Sequence, residues 1–443
     1  MLSVIWLICN RDNIAADLQV LEETLSGRAF ELIIVSDGGP DIPWQNEENS
    51  SVRVIHHAQP QGMMASFQEG ADAAAGETIL FLQSNVLLSG KSLARLEACL
   101  DDMHASCTAP VSKNSIYSRF RLPIEYFDYT SLQAFVEQTA NNPELKPQPA
   151  LILDSGCFLV RRSELARVNG LDKNFTSSNY GFGEFCLRLW QAGGKAVSAA
   201  NVYVHDNPLA SEKDLDADSE YFHKKHGFHM AYSCSTRPEL LQFIDFTQSD
   251  FSALEVGCAC GGNFCAMLEK QPAAELYGIE LNQGSAEIAK RFAQIYALDV
   301  ENFQKPEWHD KFSAVIMGDL LEHLRDPWQT VQNMYNITRP GGRIIISVPN
   351  IMHTSIFYGM LQGKWDYDDS GILDRTHLRF FTRKSALELL TQAGYQIAQI
   401  SYTNVQANDE IDACKQKLLP LLGSSVAPEE LDAYQWVIVG EKV

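Results

Sequence analysis

Short apolar runs alternate with amphipathic stretches along the whole chain, and they do so in two separate arrays. In the first, continuous Val/Ile/Leu-rich runs predict strands over residues 3–9, 31–37, 52–57 and 78–83. Apolar positions three and four apart predict helices over 14–25, 63–75 and 91–102. Residues 112–149 carry aromatics and prolines and read as an irregular excursion over the sheet edge. A buried strand over 151–161, a helix over 184–191 ended by Gly193-Gly194, and a strand over 196–204 complete this array. The second array predicts strands over 253–256, 275–280, 296–300, 313–318 and 343–348, with helices between them. Late strands over 396–402 and 435–440 follow. Runs that are apolar throughout and joined by helices imply mostly parallel sheets covered on both faces. A charged helical stretch, 212–225, and a lead-in helix over 238–243 bracket the join, which falls near Gly227. No internal repeat or low-complexity tract is present.

At 443 residues the chain is too long for one ordinary core, which suits two domains. The formal charge of −21 argues against sequence-blind binding of nucleic acid or anionic membranes, since both need a basic surface. Residues 1–9 are apolar but lack a positive leader and run into Asn10-Arg11-Asp12, so they read as a first strand rather than a signal peptide. No apolar run approaches membrane-spanning length. The ten cysteines sit mostly in apolar segments, as at Cys9 and Cys157, which implies reduced thiols and a cytoplasmic protein. Cys258, Cys260 and Cys265 cluster, but their spacing fits no common zinc pattern, so no metal is expected.

Candidate chemistry concentrates in the run Leu254-Glu255-Val256-Gly257-Cys258-Ala259-Cys260-Gly261-Gly262. An apolar strand enters it and a helix-forming stretch, 263–270, leaves it. Such a turn lets a ligand approach the backbone at a helix N-terminus, where free N–H groups favour a polar or anionic group. Glu280 ends the next strand 23 positions after Gly257, a spacing that suits an acid reaching a ribose diol. Gly257, Glu280, Asp299, Asp319 and Asn350 all fall at carboxyl ends of predicted strands, where open α/β sheets bind ligands. Taken singly, Glu255 pairs locally, Asp319 caps a helix and His323 is structural. Taken together, in this order, they read as a cofactor crevice.

Four motifs in order carry a resemblance: Glu255-Val256-Gly257-Cys258, Asp319-Leu320-Leu321-Glu322-His323-Leu324, Pro340-Gly341-Gly342-Arg343 and Asp374-Arg375-Thr376-His377-Leu378-Arg379-Phe380-Phe381-Thr382. Over residues 228–443 the chain resembles the class I S-adenosylmethionine-dependent methyltransferases. The resemblance implies a Rossmann-like seven-stranded fold with S-adenosyl-L-methionine as cofactor. It implies that Gly257 and Gly261, in a cofactor-binding turn with Glu255 and Cys258, pass close to the methionine part. Glu280 would hold the ribose hydroxyls, Asp299 would lie near the adenine and Asp319 near the methionine amine. Ala259 stands where the family has its middle glycine. Such an enzyme mainly aligns an acceptor for in-line attack, and a hydroxyl acceptor gains from a base. His377, then His353, are the candidates, because both follow the carboxyl ends of strands. His309 and His323 are expected nearer the cofactor-side helices. A dehydrogenase reading leaves residues 319–324 and 374–382 without a role.

Residues 1–227 resemble the family 2 glycosyltransferases of the GT-A fold. The matching pieces are residues 3–11, 31–37, 62–70, 154–162 with Gly170-Leu171-Asp172, the run Cys186-Leu187-Arg188-Leu189-Trp190, and Val204-His205. The resemblance implies that Asp37 contacts the nucleotide base and that His205 helps hold a metal or diphosphate, with Asn85 alongside. The chemical residues depart from the pattern. An active member carries D-x-D after its fourth strand, and here Gln83-Ser84-Asn85 stand there. Amides carry no charge, and hard divalent ions bind largely through carboxylates. The E-D pair of the catalytic base is missing too, with Glu184 the sole acid in residues 180–185. Gln68 replaces the usual asparagine.

The sequence therefore reads as a two-domain α/β protein: a degenerate glycosyltransferase-like domain, 1–227, and a methyltransferase domain, 228–443. The acceptor expected is a sugar, nucleotide sugar or glycan, an inference from the fusion alone. One rival is a bifunctional enzyme of surface-polysaccharide or glycoprotein-glycan synthesis. The other is a non-catalytic binding or scaffold protein of a glycan pathway.

Overall fold

A computed structural model describes residues 1–8, 14–39, 52–115, 121–122, 126, 128–206, 212–404, 409–422 and 426–443. Cys9, the turn Asn10-Arg11-Asp12 and part of the 112–149 stretch lie outside them. Chain packing divides the protein into two units, Met1–Thr236 with Cys260–Glu269, and Arg237–Ala259 with Lys270–Val443.

The first unit is built on eight strands: β1 Leu2–Ile8, β2 Phe30–Asp37, β3 Val52–His57, β4 Thr78–Gln83, β5 Cys107–Val111, β6 Gln148–Pro149, β7 Cys157–Arg161 and β8 Ala196–Tyr203. Their order is β3-β2-β1-β4-β7-β5-β8-β6. β1, β2, β3 and β4 run parallel, whereas β7 is antiparallel to both β4 and β5. β1 is buried at every position, which is why its sequence is apolar apart from Ser3 rather than alternating. One face of the sheet packs Val4, Trp6, Ile34, Leu80 and Leu82 against Leu93, Leu96 and Leu100 of the helix Gly90–Asp102.

Three expectations are corrected here. The stretch 112–149 is not wholly irregular, because it contains the helix Tyr129–Asn141. Asp128 and Ser131 close its first turn reciprocally as a capping box. The strand expected over 151–161 is confined to Cys157–Arg161. Its predecessor Gly156 presses on Gln83, whose N–H donates to the Gly156 carbonyl at 2.8 Å, and a Cβ at Gly156 would lie 2.8 Å from the Gln83 amide oxygen. The helix expected from residue 184 begins at Ser178, with Ser177 as its N-cap.

The second unit has seven strands: β9 Ser252–Val256, β10 Glu275–Glu280, β11 Gln294–Ala297, β12 Phe312–Gly318, β13 Thr338–Pro349, β14 Gln396–Thr403 and β15 Gln435–Glu441. Their order is β11-β10-β9-β12-β13-β15-β14, with β15 antiparallel to both neighbours. The core holds Leu254, Val315, Met317, Ile344 and Ile346 from the strands, with Leu389, Leu390 and Trp308 packed on them. The strand expected over 296–300 ends earlier, at Ala297. Asp299 instead caps the one-turn helix Val300–Asn302, accepting from the Glu301 N–H at 2.9 Å. Because β9, β10, β11, β12 and β13 are mutually parallel, their carboxyl ends form one edge, and the following loops collect there. No helix among the described residues is long and apolar enough to cross a membrane.

Candidate active site

The chain leaves β9 through a turn in which Gly257, Ala259 and Gly261 all have positive φ, at +74°, +47° and +83°. Gly257 is exposed, and a Cβ built there would meet only Leu320, 3.5 Å away. A side chain here would lie against Leu320 at ordinary contact distance and on the exposed side of the turn. Ala259 is the residue that takes the left-handed conformation where glycine is expected, at a cost of about 1–2 kcal/mol for an L-residue. The turn is held from the neighbouring strand. Gly257 N–H donates to the Ile279 carbonyl at 2.8 Å. Ala259 N–H donates to Glu280 Oε2 at 2.8 Å, and Asn282 N–H donates to Glu280 Oε1 at 2.7 Å. The half-buried Glu280 carboxylate is thereby fixed at the end of β10. Leu281, next to it, is 70% exposed and offers a bare apolar face. Glu255 and Cys258 are buried in the strand and turn themselves.

Asp319 follows β12 at φ +51°. Arg237 Nη1 donates to Asp319 Oδ2 at 2.6 Å, Ser347 Oγ donates to Oδ1 at 2.9 Å, and the Gln435 amide also donates to Oδ1. Burial opposes the charge on Arg237, but Asp319 and Glu239 beside it raise its pKa and keep it protonated. Sequence reading missed Arg237, because a single arginine before Pro238 carries no signal of its own. The buried amide of Asn350, expected in the crevice, is instead spent on the carbonyls of Glu430 and Ala433, both at 2.7 Å.

The two candidate histidines differ in their surroundings. His353 is buried and caps the helix Thr354–Leu361, its Nδ1 accepting from the Ser355 N–H at 3.3 Å. Burial lowers its pKa. His377 is half-buried and donates from Nδ1 to the Ile372 carbonyl at 3.0 Å, which leaves Nε2 with a lone pair when the ring is neutral. His323 is not remote from it, as the sequence pattern suggests. The two imidazole rings lie 4.8 Å apart in a T-shaped pair. The Glu322 carbonyl brings them together by accepting from the N–H groups of Leu378 at 2.7 Å and Arg379 at 3.0 Å, folding residues 372–379 back over the 319–324 segment. Glu322 itself is 1% exposed. Among the described residues, one group of His, Cys, Asp and Glu side chains has ligand atoms close enough to share a cation, and it is Glu322, His323 and His377. The clustered cysteines 258, 260 and 265 form no such group.

In the first unit the D-x-D position is buried: Gln83 is 4%, Ser84 2% and Asn85 3% exposed. Gln83 Nε2 donates to Met63 Sδ at 2.8 Å. Asp37 is also buried, and it organises a loop, accepting from Gln61 N–H at 2.7 Å, Gly62 N–H at 3.0 Å and His57 Nδ1 at 3.0 Å. The Leu87 N–H donates to the His205 carbonyl at 2.9 Å, which brings His205 beside the chain just past Asn85. His205 is hydrogen-bonded to the Tyr126 hydroxyl, and burial with nearby Lys113 lowers its pKa. Glu184, the one remaining acid, is fully buried. Arg188 Nε donates to it at 2.9 and 3.0 Å and Lys225 Nζ at 2.6 Å. Lys225 also donates to Asp172 at 2.6 Å. Gln68 ties in Leu171, whose N–H donates to its amide oxygen at 2.6 Å. These residues lock the fold and leave no free carboxylate at the base position.

Comparison with known proteins finds two family models that match the sequence. A family model described as "Glycosyl transferase family 2" matches residues 3–168, and one described as "Methyltransferase domain" matches residues 228–400. A curated relative from Coxiella burnetii, "Ubiquinone biosynthesis O-methyltransferase", is 23% identical over 139 residues, 30% of this chain and 58% of that protein. "Polypeptide N-acetylgalactosaminyltransferase 8" of Drosophila melanogaster is 24% identical over 182 residues, 38% of this chain and 30% of that protein. The chain thus spans about a third to somewhat over half the length of these relatives. A solved S-adenosylmethionine-dependent methyltransferase from Mesorhizobium loti aligns at TM-score 0.32 and 16% identity, over 46% of this chain and 96% of that one. One from Archaeoglobus fulgidus aligns at TM-score 0.34 and 14% identity, over 50% and 99%. The chain joins a family 2 glycosyltransferase domain to a methyltransferase domain.

Proposed function

We propose that the C-terminal domain transfers a methyl group from S-adenosyl-L-methionine to a hydroxyl or amine of a sugar, nucleotide sugar or glycan. The observation that carries the reading is the β9 turn: an exposed glycine at positive φ, beside a carboxylate locked at the end of the next strand. These residues fit the cofactor's parts. The exposed position at Gly257 suits the methionine portion. Glu280 suits the ribose diol, and Leu281 gives the base an apolar face. Asp299 serves at the far side of the base, and Asp319 with Arg237 offers paired charges for the amino-acid end. When bound, the cofactor supplies a methyl already activated on a sulfonium. The protein then has to hold the acceptor in line and keep water out. His377, with its lone pair at Nε2, is the acceptor-side residue, while His353 supports the helix beside it.

The N-terminal domain, in this reading, has lost metal-dependent sugar transfer and retains a role in holding a glycan. Buried amides at the D-x-D position and the ion cluster around Glu184 support this. The nine described cysteines are buried and form no disulfide with one another, which suits a reducing compartment such as the cytoplasm. The functional division is drawn at residues 227 and 228.

The test is to incubate the purified chain with labelled S-adenosylmethionine and a fractionated glycan extract. Label entering a carbohydrate fraction is expected. Calorimetry showing no cofactor binding by the folded protein would sink the methyltransferase reading. Sugar transfer from a nucleotide donor would restore the bifunctional one.

A further inference from the structure

The geometry points to a divalent-cation site formed by Glu322, His323 and His377, with open positions facing the acceptor. The three ligand atoms lie within 4.8 Å of one another. Glu322 is 1% exposed, and neither of its carboxylate oxygens has a hydrogen-bond partner on another described residue. A buried carboxylate without partners is costly, and the cost asks for a counter-charge. Protonation removes the charge but leaves two polar oxygens unsatisfied in a dry place.

The surrounding hydrogen bonds set both histidines for ligation. The Thr376 hydroxyl donates to Asp374 Oδ1 at 2.6 Å, so it accepts from His323 Nδ1 at 3.1 Å. His377 Nδ1 donates to the Ile372 carbonyl at 3.0 Å. Each ring therefore carries its proton on Nδ1 and presents a lone pair at Nε2. Metal-bound histidines usually donate their second N–H to a carbonyl or carboxylate, which fixes tautomer and ring orientation. Asp374 stays ionised and so keeps the Thr376 hydroxyl oriented. Burial works against its charge, but the two Thr376 hydrogen bonds win and lower its pKa. Two imidazoles and one carboxylate suit zinc, manganese or cobalt better than magnesium or calcium, which prefer all-oxygen shells. Three protein ligands leave room for an exogenous one, as catalytic sites require.

The use of the cation rests on the methyltransferase reading, whereas its binding does not. A bound cation lowers the pKa of a coordinated hydroxyl. The acceptor's proton leaves to solvent water. Its oxygen then bonds to the methyl carbon as the carbon–sulfur bond breaks, with that electron pair staying on sulfur.

The experiment titrates Zn²⁺ and Co²⁺ into chelator-treated full-length protein, using calorimetry and the visible absorption of bound Co²⁺. A single equivalent is expected. Glu322→Gln and His377→Ala should each lower its affinity at least about tenfold while leaving cofactor binding intact. Thr376→Val, at an exposed position that does not threaten folding, should weaken binding in the same direction and shift the Co²⁺ bands. Metal affinity equal to wild type in all three variants overturns the site. So does absence of uptake by protein that binds S-adenosylmethionine normally. Uptake lost in the variants by protein that does not bind the cofactor would uphold the site and sink the methyltransferase reading.

Discussion

Ala259→Gly should stabilise the C-terminal domain, although it removes a methyl group. Ala259 sits at φ +47° in the turn after β9. An L-residue in this region costs about 1–2 kcal/mol through the clash of Cβ with the following carbonyl. Glycine removes that clash but adds unfolded-state entropy, about 0.5–1 kcal/mol. The net expectation is a gain of about 0.5–1 kcal/mol. For a domain of this size that raises the melting temperature by about 1–4 °C. The Ala259 N–H bond to Glu280 survives the change, since it belongs to the backbone. Ala286→Gly is the internal control. Ala286 is fully buried in the helix Gln283–Ala289, so the same exchange there costs helix propensity and packing, about 1–2 kcal/mol. Scanning calorimetry of the intact chain reads both. A melting temperature that falls in Ala259→Gly, or falls equally in the two variants, would refute the claim that strain is stored at this turn.

Glu280→Ala should weaken S-adenosylmethionine binding by about 1–3 kcal/mol, seen by calorimetry, because both the diol and the Ala259 N–H lose their acceptor. An unchanged affinity would remove Glu280 from the site. Gly257→Val should abolish cofactor binding, measured by calorimetry on protein whose circular dichroism matches the wild type, because a branched side chain on this exposed turn would fill the space the ligand needs. Glu184→Gln should cost about 3–5 kcal/mol in denaturant unfolding by leaving Arg188 and Lys225 under-compensated in a buried setting. A near-neutral result would mean that the cluster does not hold the domain together. Acid stability follows from the same place. Burial raises the pKa of Asp172, but Lys225 and Asn174 outweigh it and pull it down to about 2. A depressed carboxyl stabilises the fold above its unfolded value near 4 and loses that contribution as pH falls toward about 2. Lys225→Met should move the acid-unfolding midpoint upward in a circular dichroism titration, and an identical midpoint would count against the ion pair.

The two sheets are legible in the sequence because their central strands are buried on both faces, so each contains an unbroken apolar run such as residues 4–8 or 314–317. Elements are hidden where tertiary packing dictates residues that argue against a helix. The start of the helix Ser178–Gln191 is masked by Gly181 and Gly183. Both are glycine because Met64 and Met230 pack there, and a Cβ would come within 2.5 Å of Met64 and 2.8 Å of Met230. The helix Tyr129–Asn141 carries Leu132, Phe135, Val136 and Ala140 at helical spacing, but it is set among the aromatics and prolines of the surrounding stretch, and the capping box marks its start. Asp299 reads as a strand end because its neighbours are apolar, whereas a side-chain cap ends the pairing two residues earlier.

The site divides along a similar line. Gly257 and Glu280 are readable because a glycine turn and a distal acid keep a fixed spacing within one βαβ unit. The contacts of Arg237, Asp319 and Gln435 are not, since they join three positions far apart in the chain and depend on the return of β15 between β13 and β14. Sequence spacing looks for a metal among cysteines, where ligands stand close in the chain, and finds no pattern. The cluster that the fold assembles uses Glu322 and His323 from one segment and His377 from another, brought together when Leu378 and Arg379 donate to a single carbonyl. His377 is therefore defined less by its position after a strand than by the segment that folds back with it. Any substitution that loosens residues 372–379 should act on the acceptor side and spare cofactor affinity. Leu378→Pro, which removes one of the two N–H groups held by Glu322, makes this separable: turnover should fall while binding of S-adenosylmethionine, measured by calorimetry, stays at the wild-type level. Loss of both together would mean that the two halves of the crevice are one cooperative unit.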